Sequence, residues 1–346
     1  MKTLAAVIVE TGKPLELVEL EIPKLAPAQV LVELAFTSVC HTQILEARGY
    51  RGPDAFVPHC LGHEGSGTVR EVGSAVTKVK PGDRVVVSWM KGTGGDVPGT
   101  KYLWNGKVVN AGGVTTFQKF AVVAENRLTP LPEGVPMEAA SLLGCAVPTG
   151  MGAVMNTAKP ASGRSLVVFG VGGVGLCAVA GAALSGCSPV VAVDVREDKL
   201  AAAKRMGATH TLLGGKDGPL AELKKLCPAG FDFAVESSGR PAAMCQALQC
   251  VRPRGGTAVV VGNARQGESI VLDPKELNLG KRLLGTWGGD NEPDRDFPRY
   301  GELVRSGRLD LSPLLASRYT LRDINRALDD LEAGRAVRPV VDVSAA

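Results

Sequence analysis

The stretch SLVVFGVGGVGLCAVAGAAL, residues 165–184, constrains the fold more than any other part of the chain. An apolar, β-branched run leads into Gly170, Gly172, Gly173, Val174 and Gly175, and an apolar segment of helical length follows. This is G-x-G-x-x-G set between a strand and a helix. Its glycines allow a tight turn and let a pyrophosphate approach the helix N-terminus, where unpaired N–H groups and the helix dipole favour an anion. A bare match carries little weight in a chain with 43 glycines. Here, however, a second apolar strand, VVAVDV, ends on Asp194 about twenty residues further on, where the dinucleotide fingerprint requires an acid. Asp194 would accept from the ribose hydroxyls and repel a 2′-phosphate, so the expected cofactor is NAD. Arg196 is the one neighbour that would argue for NADP, by meeting that phosphate.

The same stretch is uncharged as far as Asp194 and long enough to span a bilayer. Four glycines within six positions would make a costly start to an isolated helix, whereas a buried strand, a turn and a buried helix explain the same letters. The opening MKTLAAVIVE is cut short by Glu10 and shows no small-residue cleavage pattern, so it is read as a first β-strand. No membrane partner is expected, and the expected location is cytoplasmic.

Two styles of sequence alternate along the 346 residues. Residues 1–146 carry short β-branched runs broken by Gly and Pro, such as QVLVELAFTSV and GDRVVVSW, which argue for an antiparallel, barrel-like domain. Residues 147–287 alternate apolar strands with helical segments such as REDKLAAAKRMGA, the pattern of a parallel, doubly wound sheet. Residues 288–346 end in an amphipathic helix, LRDINRALDDLEAGRA, and a strand, VRPVVDV, that rejoin the first part. The fold class is therefore α/β: a β-barrel domain interrupted by a dinucleotide-binding domain. A net charge of +4 with scattered basic residues excludes a nucleic-acid footprint and favours a small-molecule partner.

Eight cysteines without regular spacing or secretory context do not suggest a disulfide framework. Cys40, in SVCHTQ, could be a nucleophile, a disulfide partner, a metal ligand or a small buried hydrophobe. His59, Cys60, His63 and Glu64 in PHCLGHEGSG, and Cys145 in SLLGCAVPTG, are further candidates. A catalytic zinc takes three ligands from Cys, His and carboxylate and leaves a fourth position open.

The motifs VCHT, GHEGSGTV, PGDRV, LLGCAVPTG, VFGVGGVGL, VDVREDKLAAAKRMGA and AGRAVRPVVD occur in this order across nearly the whole chain. Together they resemble the zinc-dependent medium-chain alcohol dehydrogenases. The resemblance implies a GroES-like catalytic domain joined to a Rossmann domain. It also implies one catalytic zinc held by Cys40, His63 and Cys145, with Glu64 as the neighbouring acid and Thr42 as the hydroxyl that takes the substrate proton. His41 and Arg338 match positions that touch the coenzyme pyrophosphate, and Lys199 one on the adenosine side. Trp89, Phe117, Asn263 and Trp287 fall at or near substrate-lining positions. The implied reaction moves hydride between NAD and an alcohol, whether primary, secondary, polyol or cyclitol, in a homo-oligomer, dimer or tetramer. The alternatives on this fold are a zinc-free quinone or enone reductase and a non-catalytic dinucleotide-binding protein. Cys60, His59 and the remaining cysteines are read as packing.

Three departures from the family pattern stand out. The four cysteines of a structural zinc are missing, and residues 91–113 are Gly-rich instead, which suggests a reshaped loop over the cleft or at a subunit contact. Gln43 replaces the usual Asp beside the zinc histidine. An amide can accept from an imidazole N–H but adds no charge, so the metal should be more electrophilic and less tightly held. Leu45 stands where some members place a histidine of the proton relay.

Overall fold

A strand buried on both faces must be apolar at nearly every position, and the middle of the chain has several. The computed structural model describes residues 1–215 and 218–345. Leu166–Phe169 and Val190–Asp194 are buried throughout, and Phe233–Glu236 and Thr257–Val260 nearly so. They form the centre of a parallel sheet that, among the described residues, has six strands. Their order is His210–Leu213, Val190–Asp194, Leu166–Phe169, Phe233–Glu236, Thr257–Val260, Arg282–Gly285. The chain builds outward from Leu166–Phe169 on one side and then returns to build on the other. That reversal is a topological switch point, the place where open α/β sheets bind ligands. The glycine loop leaves the C-terminal end of Leu166–Phe169 at this point and runs into the helix Gly173–Leu184.

The contacts divide the described chain into two units, Met1–Cys145 with Glu292–Ala346, and Ala146–Asn291. Each has its own core. In the second, Val167, Phe169, Val191, Phe231, Ala234 and Leu248 pack together. In the first, one core gathers Val30, Val32, Leu34, Val85, Val87 and Phe117, and another lies around Leu20 and Tyr102.

The first unit combines a closed barrel with a larger sheet. The barrel runs Lys2–Ile8, Glu16–Glu21, Lys101–Trp104, Lys107–Asn110, His59–Cys60. The sheet runs Leu128–Pro130, Arg84–Ser88, Glu64–Val72, Gln29–Ser38, Val340–Asp342, Arg318–Thr320, with Phe120–Ala124 also paired to Gln29–Ser38. The tail is thus part of the sheet, with Val340 opposite Ser38. No single helix among the described residues is long and apolar enough to cross a membrane.

The segment 91–113 differs from the loop expected of it. Lys101–Trp104 and Lys107–Asn110 form an antiparallel hairpin that completes the barrel. Its two turn residues, Asn105 at φ 49° and Gly106 at φ 77°, both take the left-handed conformation. That pair of angles makes the turn type I′, whose twist matches that of the strands it joins. Tyr102 anchors the hairpin from the inside: it is fully buried, and its hydroxyl accepts from Val122 N–H at 2.8 Å and from Gln118 Nε2 at 3.1 Å. A tight turn at one end and a buried phenol at its centre thus hold this segment in the barrel.

Candidate metal centre and nucleotide loop

Two strands of the larger sheet, and a turn tied to a third, deliver the three candidate ligands. Gln29–Ser38 leads through Val39, whose N–H reaches Pro339 O at 2.9 Å, to Cys40 at the N-cap of the helix His41–Ala47. His63 immediately precedes Glu64–Val72, and its carbonyl accepts from Trp89 N–H at 3.0 Å. Cys145 follows the turn Ser141–Gly144, which is tied down by Ser88 Oγ donating to Gly144 O at 2.6 Å. Gly144 must be glycine, since a Cβ there would sit 2.4 Å from Val87 O. The outcome is that Cys40 Sγ, His63 and Cys145 Sγ lie within 4.8 Å of one another. His63 Nε2 points into the cluster, 3.2 Å from Cys145 Sγ.

Two soft sulfurs and one imidazole, converging in a largely buried pocket, are a donor set suited to zinc. Both cysteines are buried and His63 is half-buried. The Cys145 thiol donates to Cys40, and this holds Cys40 well below the usual thiol range against the opposing effect of burial. The charge of Arg338 and the His63 ring help. Cys145 is pushed up correspondingly, first by sharing its proton with Cys40 and then by burial. The surroundings thus favour the thiolate form at Cys40, and the residues fit the ion.

Beneath the cluster lies a buried ion pair. Glu64 is inaccessible to solvent and pairs with Arg338, and Ser38 Oγ donates to the same carboxylate. Arg338 Nε in turn donates to Ser38 Oγ at 2.9 Å. Arg338, expected at the coenzyme pyrophosphate, is only 3% exposed here and is engaged by Glu64. Phe117, expected near the substrate, is fully enclosed in the core of the first unit. Trp89 is half-buried next to the strand Arg84–Ser88. His41 and Thr42 occupy the first turn of their helix, His41 exposed and Thr42 half-buried. Leu45 is buried on the same helix.

The Gln43 side chain bridges Cys40 and His63. Its Oε1 accepts from Cys40 N–H at 2.7 Å, closing the helix start as a capping box. Its Nε2 lies 2.5 Å from His63 Nδ1.

A cavity of about 500 Å³ borders Gln43 and His63. Sequence reasoning missed Glu46, Arg51 and Asp54 in its polar lining, because these residues belong to no motif. Arg51 Nη1 donates to Glu46 at 2.8 Å, and His59 Nε2 meets Asp54 at 2.7 Å. Burial raises the Glu46 carboxyl. Burial works the same way on Asp54, but hydrogen bonds from Phe56 N–H and His59 outweigh it and keep that carboxyl low. His59, read from sequence as packing, thus lines this cavity, as does Cys60, whose thiol burial pushes up to about 12.

In the second unit the glycine loop is shaped as the fingerprint requires. Gly170 has φ +80°, and a Cβ on Gly175 would lie 1.9 Å from Gly170 O, so the helix packs directly on the turn. Asp194 Oδ2 accepts from Val171 N–H at 2.8 Å, bracing the loop from the neighbouring strand, and Oδ1 accepts from Arg196 N–H at 3.1 Å. The Arg196 guanidinium is turned to Asp198 in a two-pronged pair at 3.0 Å. Lys199 is half-buried on the helix Glu197–Arg205. Asn263 is exposed just past Thr257–Val260, and Trp287 is 77% exposed beyond Arg282–Gly285. Sequence reasoning also missed Glu236. It is fully buried at the end of its strand and accepts from Ser238 N–H at 2.7 Å and Gly239 N–H at 3.0 Å. The next residue, Ser237, donates to Gly170 O at 2.6 Å and so holds the turn from below.

Comparison with known proteins agrees with this geometry. Residues 26–133 match the model of the alcohol dehydrogenase GroES-like domain, and residues 173–306 match that of the zinc-binding dehydrogenases. The chain is 34% identical to an S-(hydroxymethyl)glutathione dehydrogenase of Synechocystis sp., with 99% of this chain and 100% of the relative covered. Among solved structures, an alcohol dehydrogenase zinc-binding domain protein from Burkholderia ambifaria superposes with a TM-score of 0.92 at 28% identity. A benzyl alcohol dehydrogenase from Acinetobacter calcoaceticus gives 0.90 at 29%. In both cases 99% of each chain is covered.

Proposed function

The chain belongs to the zinc-binding dehydrogenases, oxidoreductases of the alcohol dehydrogenase type, and on that premise we propose that Cys40, His63 and Cys145 hold its catalytic zinc and that NAD accepts the hydride. The observation that carries this reading is the convergence of the three donor atoms within 4.8 Å. Two cysteines and a histidine are the set that alcohol dehydrogenases use for a catalytic zinc. A zinc ion held there supplies Lewis acidity that makes an alcohol hydroxyl easier to deprotonate.

The chain's own residues have the remaining roles. Thr42 Oγ1 takes the hydroxyl proton as it passes its own on toward the coenzyme ribose and solvent, so the side chain stays neutral. Gly170, Gly172, Gly173, Val174 and Gly175 present backbone N–H groups and the helix dipole to the pyrophosphate. Asp194 receives the ribose hydroxyls, and Lys199 approaches the adenosine side. NAD is favoured over NADP because Arg196, the residue that could meet a 2′-phosphate, is committed to Asp198. Glu64 and Ser38 hold Arg338 under the ligands, where its charge favours the thiolate form. His41 stands at the exposed start of its helix, within reach of solvent-borne phosphate.

The cavity beside His63 supports an alcohol that bears polar substituents. Arg51, Glu46, Asp54 and His59 offer charge and hydrogen bonds, while Leu61, Val114 and Phe56 offer apolar contact. S-(hydroxymethyl)glutathione and benzyl alcohol, for which two of the similar proteins are named, differ in this respect and make an informative pair. The test is metal content together with NAD reduction over a panel containing both, for the wild type and for Cys40→Ser. One zinc per chain, NADH formation favouring polar alcohols, and loss of turnover in the variant are expected. Absence of zinc, or unchanged turnover in Cys40→Ser, would sink the reading.

Two further features belong to the same proposal. Thiol ligands need a reducing compartment, which supports a cytoplasmic enzyme. The edge strand Arg282–Gly285 is paired with Thr257–Val260 on one side, and exposed Leu277, Leu279, Leu284, Ile270 and Val271 lie on or near it in sequence. A second copy pairing through the same strand would cover that edge and give a two-fold dimer.

A further inference from the structure

Gln43 sits between two of the proposed ligands, and its amide has one end of each kind. Oε1 is taken by Cys40 N–H at 2.7 Å, so Nε2, a donor, faces His63 Nδ1 at 2.5 Å. A donor there is matched when Nδ1 is the bare nitrogen and the ring proton sits on Nε2, where it can donate to Cys145 Sγ at 3.2 Å. Nε2 is also the nitrogen that points at the sulfurs. To offer its lone pair to a metal, that nitrogen must give up the proton, and a neutral ring then carries it on Nδ1. Nδ1–H needs an acceptor. Turning the amide end for end supplies one, but it sets –NH₂ against Cys40 N–H, donor to donor. An acceptor at both ends would satisfy Cys40 and His63 together; an amide satisfies one or the other.

We propose that Gln43 is a positioning residue that opposes metal capture: its amide satisfies the Cys40 N–H and the metal-free form of His63 together, but not the Cys40 N–H and the metal-binding form. The proposal rests on the zinc reading of the cluster and assigns the weaker hold on zinc to a hydrogen-bonding conflict at Gln43, beyond the charge that an amide lacks. Metal binding is thereby linked to the helix start, because taking up the ion releases the Cys40 N–H from its cap. Glu at position 43 has the same length and shape and accepts at both oxygens, so Gln43→Glu removes the conflict without moving a ligand. Partners of a metal-bound histidine typically change metal affinity by about 10–100-fold.

The experiment is zinc titration against a chromophoric chelator for the full chain, wild type and Gln43→Glu, with circular dichroism to confirm that both are folded. Zinc binding at least ~10-fold tighter in Gln43→Glu is expected. Equal or weaker binding by the folded variant would overturn the proposal. A second measurement does not depend on the variant. Long-range ¹H–¹⁵N spectra of wild-type protein with labelled histidine should show the His63 proton on Nε2 without metal and on Nδ1 with zinc. A proton already on Nδ1 in the metal-free protein overturns the inference while leaving the zinc site intact. Folded wild-type protein that takes up no zinc overturns the zinc reading itself, and this inference with it.

Discussion

Glu64 and Arg338 show what a single residue under a candidate metal site contributes. Both are buried, 274 positions apart in the chain, and each compensates the other's charge. Glu64→Ala would leave a guanidinium buried without its counter-charge, and breaking such a pair from one side costs about 3–5 kcal/mol. Urea unfolding of the metal-free protein should report a loss of that size, with the helix content of the folded state unchanged. Residues of this kind are hard to read from a sequence. Cys40, His63 and Cys145 could be picked out because they sit in ordered motifs with characteristic neighbours. The partner of Arg338 could not, since a strand pairing between Val340 and Ser38 brings the two together and no local pattern encodes it. Phe117 illustrates the converse: an aromatic residue in an apolar run looks the same whether it faces a substrate or a core, and here it faces the core.

Among the elements, the hairpin Lys101–Asn110 carries the sharpest expectation. A Cβ on Gly106 would meet nothing within 4 Å, so any penalty for Gly106→Ala comes from the backbone alone. At φ 77° that penalty is roughly 1–2 kcal/mol for an L-residue. Equilibrium denaturation should show it, while Gly82→Ala, in a left-handed turn outside the barrel hairpin, serves as a comparison of similar backbone cost. The hairpin was legible in principle. Asn-Gly between KYLW and KVVN is a strong short-range signal for a type I′ turn, but the glycines on either side of the hairpin give the whole segment the composition of a loop. The parallel sheet was easier, because strands buried on both faces leave apolar runs of a length and spacing that helices between them confirm. The cavity beside His63 was not legible. Its charged residues come from the end of one helix, the connection after it and a short strand, three places with no shared periodicity.

For the whole molecule, the exposed edge of the parallel sheet is the feature with the widest reach. An edge strand paired on one side only, with apolar side chains on its surface, invites another chain. Leu284→Asp places a charge in the middle of that edge, where Leu284 is 38% exposed, so the monomer should tolerate it and a strand-paired dimer should not. Sedimentation velocity is expected to give twice the chain mass for the wild type and the chain mass for the variant. A wild type that sediments as a monomer, or a variant that stays dimeric, would rule this edge out.

The interleaving of the two units has a consequence in time. On a ribosome, residues 146–291 emerge as one uninterrupted block and can close their sheet as soon as Arg282–Gly285 is free. The unit that begins earlier cannot finish, because two strands of its sheet, Arg318–Thr320 and Val340–Asp342, have not yet been made. Domains generally fold as units during synthesis, so the inserted unit should mature first and the one around it second. Cys40, His63 and Cys145 are all made early, yet Glu64 lacks its counter-charge until Arg338 leaves the exit tunnel. A nascent chain in that interval carries the proposed zinc ligands on an unfinished sheet, and a truncation before residue 338 should leave it there.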